Sequence, residues 1–171
     1  DGSYAAVVKV NKAENISITV DKKGSSFAIS RINTSELLNK LDRPVVIGEL
    51  KVETIKNGEK YELEDILYKT DSFELSKESK FTLKCFRDYL ISNPNYSITI
   101  EGHTDDIGDK NDNLVLSKNR AAGVKLYLIE IGIDPDRLSS IGYGESNPKF
   151  QNNSSANRRK NRRTEFELRI D

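Results

Sequence analysis

The segment Ile98-Thr-Ile-Glu-Gly-His-Thr-Asp-Asp-Ile-Gly108, running on through Asn113 to Leu116-Ser117 and Arg120-Ala121, most narrows what this chain can fold into. Alternation puts Ile98 and Ile100 on one face and Ser97, Thr99 and Glu101 on the other, the period of a strand. Gly102 breaks that run and a polar loop follows. Apolar and small residues then recur at helical spacing through Ser117, Ala121, Val124, Leu128 and Ile131, with Gly132 as the stop signal. An acid, Asp105, therefore stands at a strand exit, and a base, Arg120, stands about two turns into a helix. Asn113 and Arg120 are seven positions apart and share one helical face. A carboxylate and a guanidinium set on either side of a small gap suit a ligand that carries both an ammonium and a carboxylate.

The flanking chain supplies the layers around this unit. Asp65–Lys69 reads as a strand, Ser76–Ser92 as a helix capped by Ser76, with Leu83, Phe86 and Leu90 buried, and Asn93-Pro94 as its end. Tyr96–Glu101 is the central strand and Asp112–Ile131 the second helix. Leu138–Tyr143 follows as a strand, then a short helix, then Thr164–Ile170, where Phe166, Leu168 and Ile170 point inward and Glu165, Glu167 and Arg169 outward. Strand–helix–strand alternation with short links favours right-handed crossovers between parallel neighbours. The expected fold is an α/β (α+β) two-layer sandwich of order βαβαβ(α)β, with a mixed sheet and helices on one face. In such a sheet the strand exits share one edge, where ligands bind. That edge would gather Thr70-Asp71, His103-Thr104-Asp105 and, from an antiparallel last strand, Arg162.

Upstream the reading is β-rich. Tyr4–Val10, Ile16–Val20 and Phe27–Ile32 are strand candidates, and Asp21-Lys-Lys-Gly24 is a hairpin-type turn. Ser35–Leu41 suits one or two helical turns, Val45–Ile55 a strand and Lys56-Asn57-Gly58-Glu59 a tight turn leading into Tyr61–Tyr68. This divides the chain into 1–43, an incomplete β-sandwich-like segment, 44–58, a connecting strand and hairpin, and 59–171, the main domain.

Composition removes several function classes. Twenty-seven basic and 27 acidic residues cancel, so no global field argues for nucleic acid, and the Arg158–Arg163 basic run has no interleaved aromatics. No apolar run is long enough for a membrane span, and no leader peptide is evident, as in a mature or excised fragment. Cys85 is the sole cysteine, which excludes an intrachain disulfide and places it among Phe81, Leu83 and Phe86 as a buried small hydrophobe. His103 is the sole histidine. Without a second His or a Cys at ligand spacing, or a serine elbow, it reads as a hydrogen-bonded structural residue, and neither a metal nor a cofactor is expected. Asp105, Asp106, Asp109 and Asp112 miss the register of an EF-hand loop. Taken singly, Asp105 also fits a turn cap and Arg120 a solvated helix charge.

The motifs Gly102-His103-Thr104-Asp105, Gly108, Asn113, Leu116-Ser117, Arg120-Ala121 and Asn161-Arg162-Arg163 together resemble the OmpA-like peptidoglycan-binding domain of OmpA, the Pal lipoproteins and the MotB stator proteins. The resemblance covers roughly the last two thirds of the chain. It implies that Asp105 takes the ammonium of meso-diaminopimelate in the peptidoglycan stem peptide, and that Arg120 takes a carboxylate at the same centre. It further implies a supporting role for Asn113, main-chain contacts near Thr104 and Leu116, and a charged contact from Arg162. Lys69 stands where the family usually has an acid, and Asp71 is the residue placed to compensate. The opening Asp1-Gly-Ser-Tyr4 is similar to part of a carboxypeptidase-regulatory-like β module, which often precedes such domains in Bacteroidetes envelope proteins. The implied role is a noncovalent anchor in the periplasm, joining an outer-membrane protein to the wall. A cell-envelope protein–protein adaptor and a cell-wall hydrolase are the rival readings, the last lacking any nucleophile or metal set.

Overall fold

The computed structural model describes residues 15–20, 28–33, 56–62, 66, 68 and 74–170. Two strands, β1 (Asn15–Val20) and β2 (Ala28–Asn33), pair antiparallel from Asn15↔Asn33 to Val20↔Ala28. They are the two arms expected around Asp21–Gly24. The expected elements at Tyr4–Val10, Ser35–Leu41 and Val45–Ile55 lie outside the described residues.

The main domain carries β3 (Glu59–Glu62), α1 (Lys77–Ser92), β4 (Tyr96–His103), α2 (Lys110–Glu130), β5 (Leu138–Gly144), α3 (Ser155–Asn161) and β6 (Thr164–Ile170). The sheet runs β3-β6-β4-β5, with β4 parallel to β5 and antiparallel to β6, and β3 antiparallel to β6. The β4–α2–β5 unit is the expected crossover between parallel neighbours. The other crossover differs from expectation. β6 lies between β3 and β4, so the strand before α1 is not a neighbour of the central one. Among the described residues that strand is Glu59–Glu62; the strand expected at Asp65–Lys69 lies mostly outside the described residues. Tyr68 makes only an isolated antiparallel bridge to Leu75, and Ile66 is buried in the core. The Lys56–Glu59 turn registers β3 through its partner strand: the Gly58 amide donates to the Leu168 carbonyl at 2.9 Å, and the Ile170 amide to Asn57 Oδ1 at 3.0 Å.

Helix α1 begins where Ser76 Oγ accepts from the Ser79 amide at 3.1 Å. It buries Leu83, Phe86, Tyr89 and Leu90 against the sheet, with Phe86 edge-on to Phe166 at 5.0 Å. Its final turn has no basic residue of its own. Arg137 from beyond α2 donates instead to the carbonyls of Leu90, Asn93 and Tyr96 at 3.0, 2.8 and 2.8 Å, satisfying acceptors that the helix end leaves open. Helix α2 starts two residues before the expected Asp112 because Asp109 caps it, accepting from the Asn111 and Asp112 amides at 2.7 and 3.3 Å. Gly132, at φ 104°, ends the helix as expected. Ile98, Ile100, Phe166 and Leu168 meet Leu83, Leu90, Val124 and Leu128 in one core. Each such side chain contributes about 1.5–3 kcal/mol of burial.

Three local expectations are corrected. The strand does not break at Gly102 but continues through His103. Ile170 is exposed, because it pairs with Tyr96 at the end of the sheet, beyond the cover of the helices. Cys85 is only half-buried, and Phe81 beside it faces solvent.

Candidate ligand-binding site

Gly102 and Gly142 are the reason α2 can lie so close to the sheet. A Cβ on Gly102 would stand 2.3 Å from the Ser117 carbonyl oxygen, and one on Gly142 would stand 2.3 Å from the Lys118 amide nitrogen. The helix backbone thus rests on two bare positions in paired strands. Ser117 locks the seat, since its Oγ accepts from the Gly144 amide at 2.8 Å and donates to the Leu114 carbonyl at 2.9 Å. The first turns of α2 are therefore held over the ends of β4 and β5, and the polar loop after β4 is drawn beneath them.

Asn113 fixes that loop. Its Nδ2 donates to the carbonyls of Asp105 and Ile107 at 3.3 and 3.1 Å and to Glu145 Oε2 at 2.9 Å. Asp105 is buried with its two oxygens committed differently. Oδ1 accepts from the Ile107 amide at 3.2 Å, the turn-cap geometry, while Oδ2 accepts from Arg162 Nη1 at 2.5 Å. The Arg162 side chain is 46% exposed, whereas that of Asp105 is 9% exposed. This pair can exchange its cation with a guest without moving backbone. Next to it, the Thr104 hydroxyl is buried without a hydrogen-bond partner among the described residues, although the Thr104 amide donates to the Gly144 carbonyl at 2.9 Å.

Arg120 is buried on the same face of α2 as Asn113. Its guanidinium carbon lies 4.7 Å from the centre of the Tyr68 ring, a cation–π contact. The Tyr68 hydroxyl donates to the Arg120 carbonyl at 3.4 Å and lies 3.3 Å from Thr164 Oγ1, at the start of β6. Burial pushes the Tyr68 phenol up to about 12, partly offset by Thr164 and the Arg120 charge. Thr164 pairs across the sheet with Gly102, so Arg120, Tyr68 and the origin of Arg162 belong to one end of the sheet.

Among the expected site residues, the structure joins Asp105, Asn113 and Arg162 by direct or shared hydrogen bonds, with Thr104 alongside. Leu116 is half-buried on the same part of α2. Asp71 lies outside the described residues, as do Lys69 and Thr70. The basic run divides between the two faces of the sheet. Arg158 pairs with Asp106 at 2.9 Å and Arg162 with Asp105, but Arg163 turns to Glu165 at 2.8 Å on the other side of the sheet. Asn161 is fully buried and staples the preceding loop, accepting from the Lys149 and Phe150 amides and donating to the Phe150 carbonyl and Asn152 Oδ1. Sequence reasoning missed Glu145, Tyr68 and Thr164. Glu145 was findable, because it directly follows the strand parallel to β4 and so must emerge beside Asp105.

The chain is similar in sequence and in fold to known proteins. The sequence pattern of the OmpA family matches residues 67–162. The outer membrane porin F of Pseudomonas aeruginosa is 34% identical over 108 residues, 63% of this chain and 31% of that protein. The peptidoglycan-associated lipoprotein of Rhizobium meliloti is 39% identical over 83 residues, 48% of this chain and 47% of that protein. The chain thus spans less than half the length of either relative. Among solved structures, the periplasmic domain of Helicobacter pylori MotB superimposes with a TM-score of 0.60 at 28% identity, covering 74% of this chain and 86% of that one. No helix among the described residues is long and apolar enough to cross a membrane.

Proposed function

The chain belongs to the OmpA family, and we propose that its main domain is a noncovalent anchor that grips the stem peptide of peptidoglycan through its diaminopimelate residue, tying a periplasmic or outer-membrane protein to the cell wall. Relatives and structural neighbours named for the outer membrane, for association with peptidoglycan and for a periplasmic domain support the coarse reading. The finer reading rests on one observation: Asp105 is held in a tight turn at a strand exit with its outer oxygen on a half-exposed, exchangeable guanidinium.

In this reading the ammonium of the guest displaces Arg162 from Asp105 Oδ2, and Arg162 swings to an anionic group on the same guest. Arg120, oriented by the Tyr68 ring, receives a carboxylate, and its planar fork makes two parallel hydrogen bonds that a lysine cannot reproduce. The unpartnered Thr104 hydroxyl and main-chain groups near Leu116 complete the grip, with Asn113 holding the loop in place. Asp71 adds a charged contact. No bond is broken, so no nucleophile or cofactor is required.

Co-sedimentation with purified sacculi tests the reading. The intact protein is expected to pellet, and Asp105→Ala and Arg120→Ala to lose at least about tenfold in affinity while remaining folded, since truncating one partner of a semi-enclosed charge pair costs roughly 2–5 kcal/mol. Equal pelleting of both variants and the intact chain would exclude this cleft and favour the adaptor reading.

A further inference from the structure

The sheet face turned away from the helices holds a second, drier polar cluster. Glu101 and Glu165 are direct cross-strand partners on β4 and β6, and His103 follows two residues after Glu101. One carboxylate oxygen from each glutamate and one imidazole nitrogen lie within 4.8 Å of one another. His103 Nε2 is 3.4 Å from Glu165 Oε2 and 3.9 Å from Glu101 Oε2. The His103 side chain is 1% exposed, and among the described residues neither ring nitrogen has a well-formed hydrogen bond; Nε2 makes only a long contact of 3.4 Å with Glu165 Oε2. A buried imidazole left in this condition is costly unless something else satisfies it.

The surroundings resemble a supporting shell around an inner set of ligands. The Tyr143 ring stacks on His103 at 5.3 Å and 18°, fixing the imidazole plane. Arg163 Nε occupies Glu165 Oε1 at 2.8 Å, which leaves Oε2 turned towards the histidine. Lys60 Nζ sits on Glu101 Oε2 at 2.6 Å and 5.6 Å from the Tyr143 ring centre. Its side chain is 44% exposed, so the ammonium can withdraw into solvent without a backbone movement. Tetrahedral zinc with bonds of about 2.0–2.1 Å needs ligand atoms roughly 3.3 Å apart, so the set must contract by up to about 1.5 Å, which rotation of the two glutamate side chains would have to supply.

We propose that Glu101, His103 and Glu165 form a binding site for a zinc-class divalent metal ion, with Lys60 as the resident cation that the metal displaces. One imidazole with two carboxylates is the donor set that such ions accept, whereas calcium and magnesium favour more oxygens and more water. The ion takes Nε2 of the neutral imidazole and Oε2 of each glutamate, leaving a fourth position for water. Arg163 balances the second carboxylate from outside. This site lies across the sheet from the Asp105 loop cluster and does not depend on that cluster's ligand. Glu101 and His103 stand two apart on β4, but Glu165 comes from β6, far away in sequence, which is why the full ligand set is not visible along the chain.

Calorimetric titration of the full chain with Zn2+, paired with thermal unfolding, tests the proposal. The expected result is one ion per chain and a raised midpoint with Zn2+ but not with Mg2+ at equal concentration. Loss of a direct ligand in His103→Gln or Glu165→Gln should weaken binding at least about tenfold. Cys85→Ser should leave it unchanged. Lys60→Ala should strengthen it about threefold or more by removing the competitor for Glu101, an effect on affinity that adventitious surface binding would not produce. Should either ligand variant fail to fold, the Lys60→Ala titration decides. Absence of binding by the intact chain, full binding by folded His103→Gln, or unchanged or weaker binding by Lys60→Ala would overturn the site.

Discussion

Asp105 and Glu101 lie four residues apart on one strand-and-loop segment, and both are buried carboxylates held by a cation, yet their settings differ. Asp105 sits in a polar loop, one oxygen spent on a turn and the other on the half-exposed tip of Arg162. Glu101 belongs to a dry sheet face, where it shares its surroundings with His103, Glu165 and the enclosed Arg163. The first arrangement leaves a charge ready to change partners. The second fixes charges by strand register, so that removing one strands another. Both cations, Lys60 and Arg162, are half-exposed and can give way to a guest, but stability should depend on charge more at the sheet, where Arg163 is enclosed with Glu165, than at the loop.

The sharpest way to break this contrast is Glu165→Ala. The Arg163 side chain is 6% exposed, so the substitution leaves a guanidinium buried without its partner. Stability should fall by about 3–5 kcal/mol, read as a lower urea midpoint with an unchanged slope. Gly102→Ala should come next. Its new methyl would meet the Ser117 carbonyl at 2.3 Å, and pushing α2 off the sheet should cost about 3 kcal/mol and disperse the loop cluster as well.

Raising the pH probes the link between Arg120 and the sheet. The Tyr68 phenol ionises near 10 when unfolded and at about 12 when folded. Between those values the unfolded chain has released a proton that the folded one keeps, so stability falls as pH rises through that window, by roughly 2–3 kcal/mol in full. Tyr68→Phe should flatten part of this alkaline slope in chemical denaturation series, with Tyr127, raised by burial, and Lys60, raised by its bond to Glu101, accounting for the remainder. The smallest stability effect is expected at the loop itself. Asp105→Ala frees a half-exposed Arg162 to water, so its unfolding free energy should change by no more than about 1 kcal/mol even though binding is lost. A larger drop would make Asp105 a structural residue like Glu165.

What was legible in the sequence follows the same division. Period and capping located α1, β5 and β6 closely, because Leu83, Phe86 and Leu90, or Phe166 and Leu168, bury one face of a regular element. That Asp105 and Asn113 come together was legible because a loop and the helix after it are close in sequence. Gly102 was misread as a strand break, since a glycine chosen for close helix approach looks the same along the chain as one chosen for a turn. The insertion of β6 between β3 and β4 was hidden, because β3 carries only four residues and its pairing is settled by non-local hydrogen bonds. The pairings Arg162–Asp105 and Arg163–Glu165 were hidden for a related reason. Neighbouring arginines at a strand start point to opposite faces, and only the sheet shows which carboxylate each one finds.

The central claim is that Arg120 reads a carboxylate that diaminopimelate has and lysine lacks, so the decisive measurement is a cycle of calorimetric titrations. Stem peptides with diaminopimelate or lysine at the third position would be titrated into the intact chain and into Arg120→Ala. The intact chain should prefer the diaminopimelate peptide by at least about tenfold, and Arg120→Ala should bind both peptides equally weakly. If Arg120→Ala keeps the full preference, the carboxylate is read elsewhere and the account of this site is wrong.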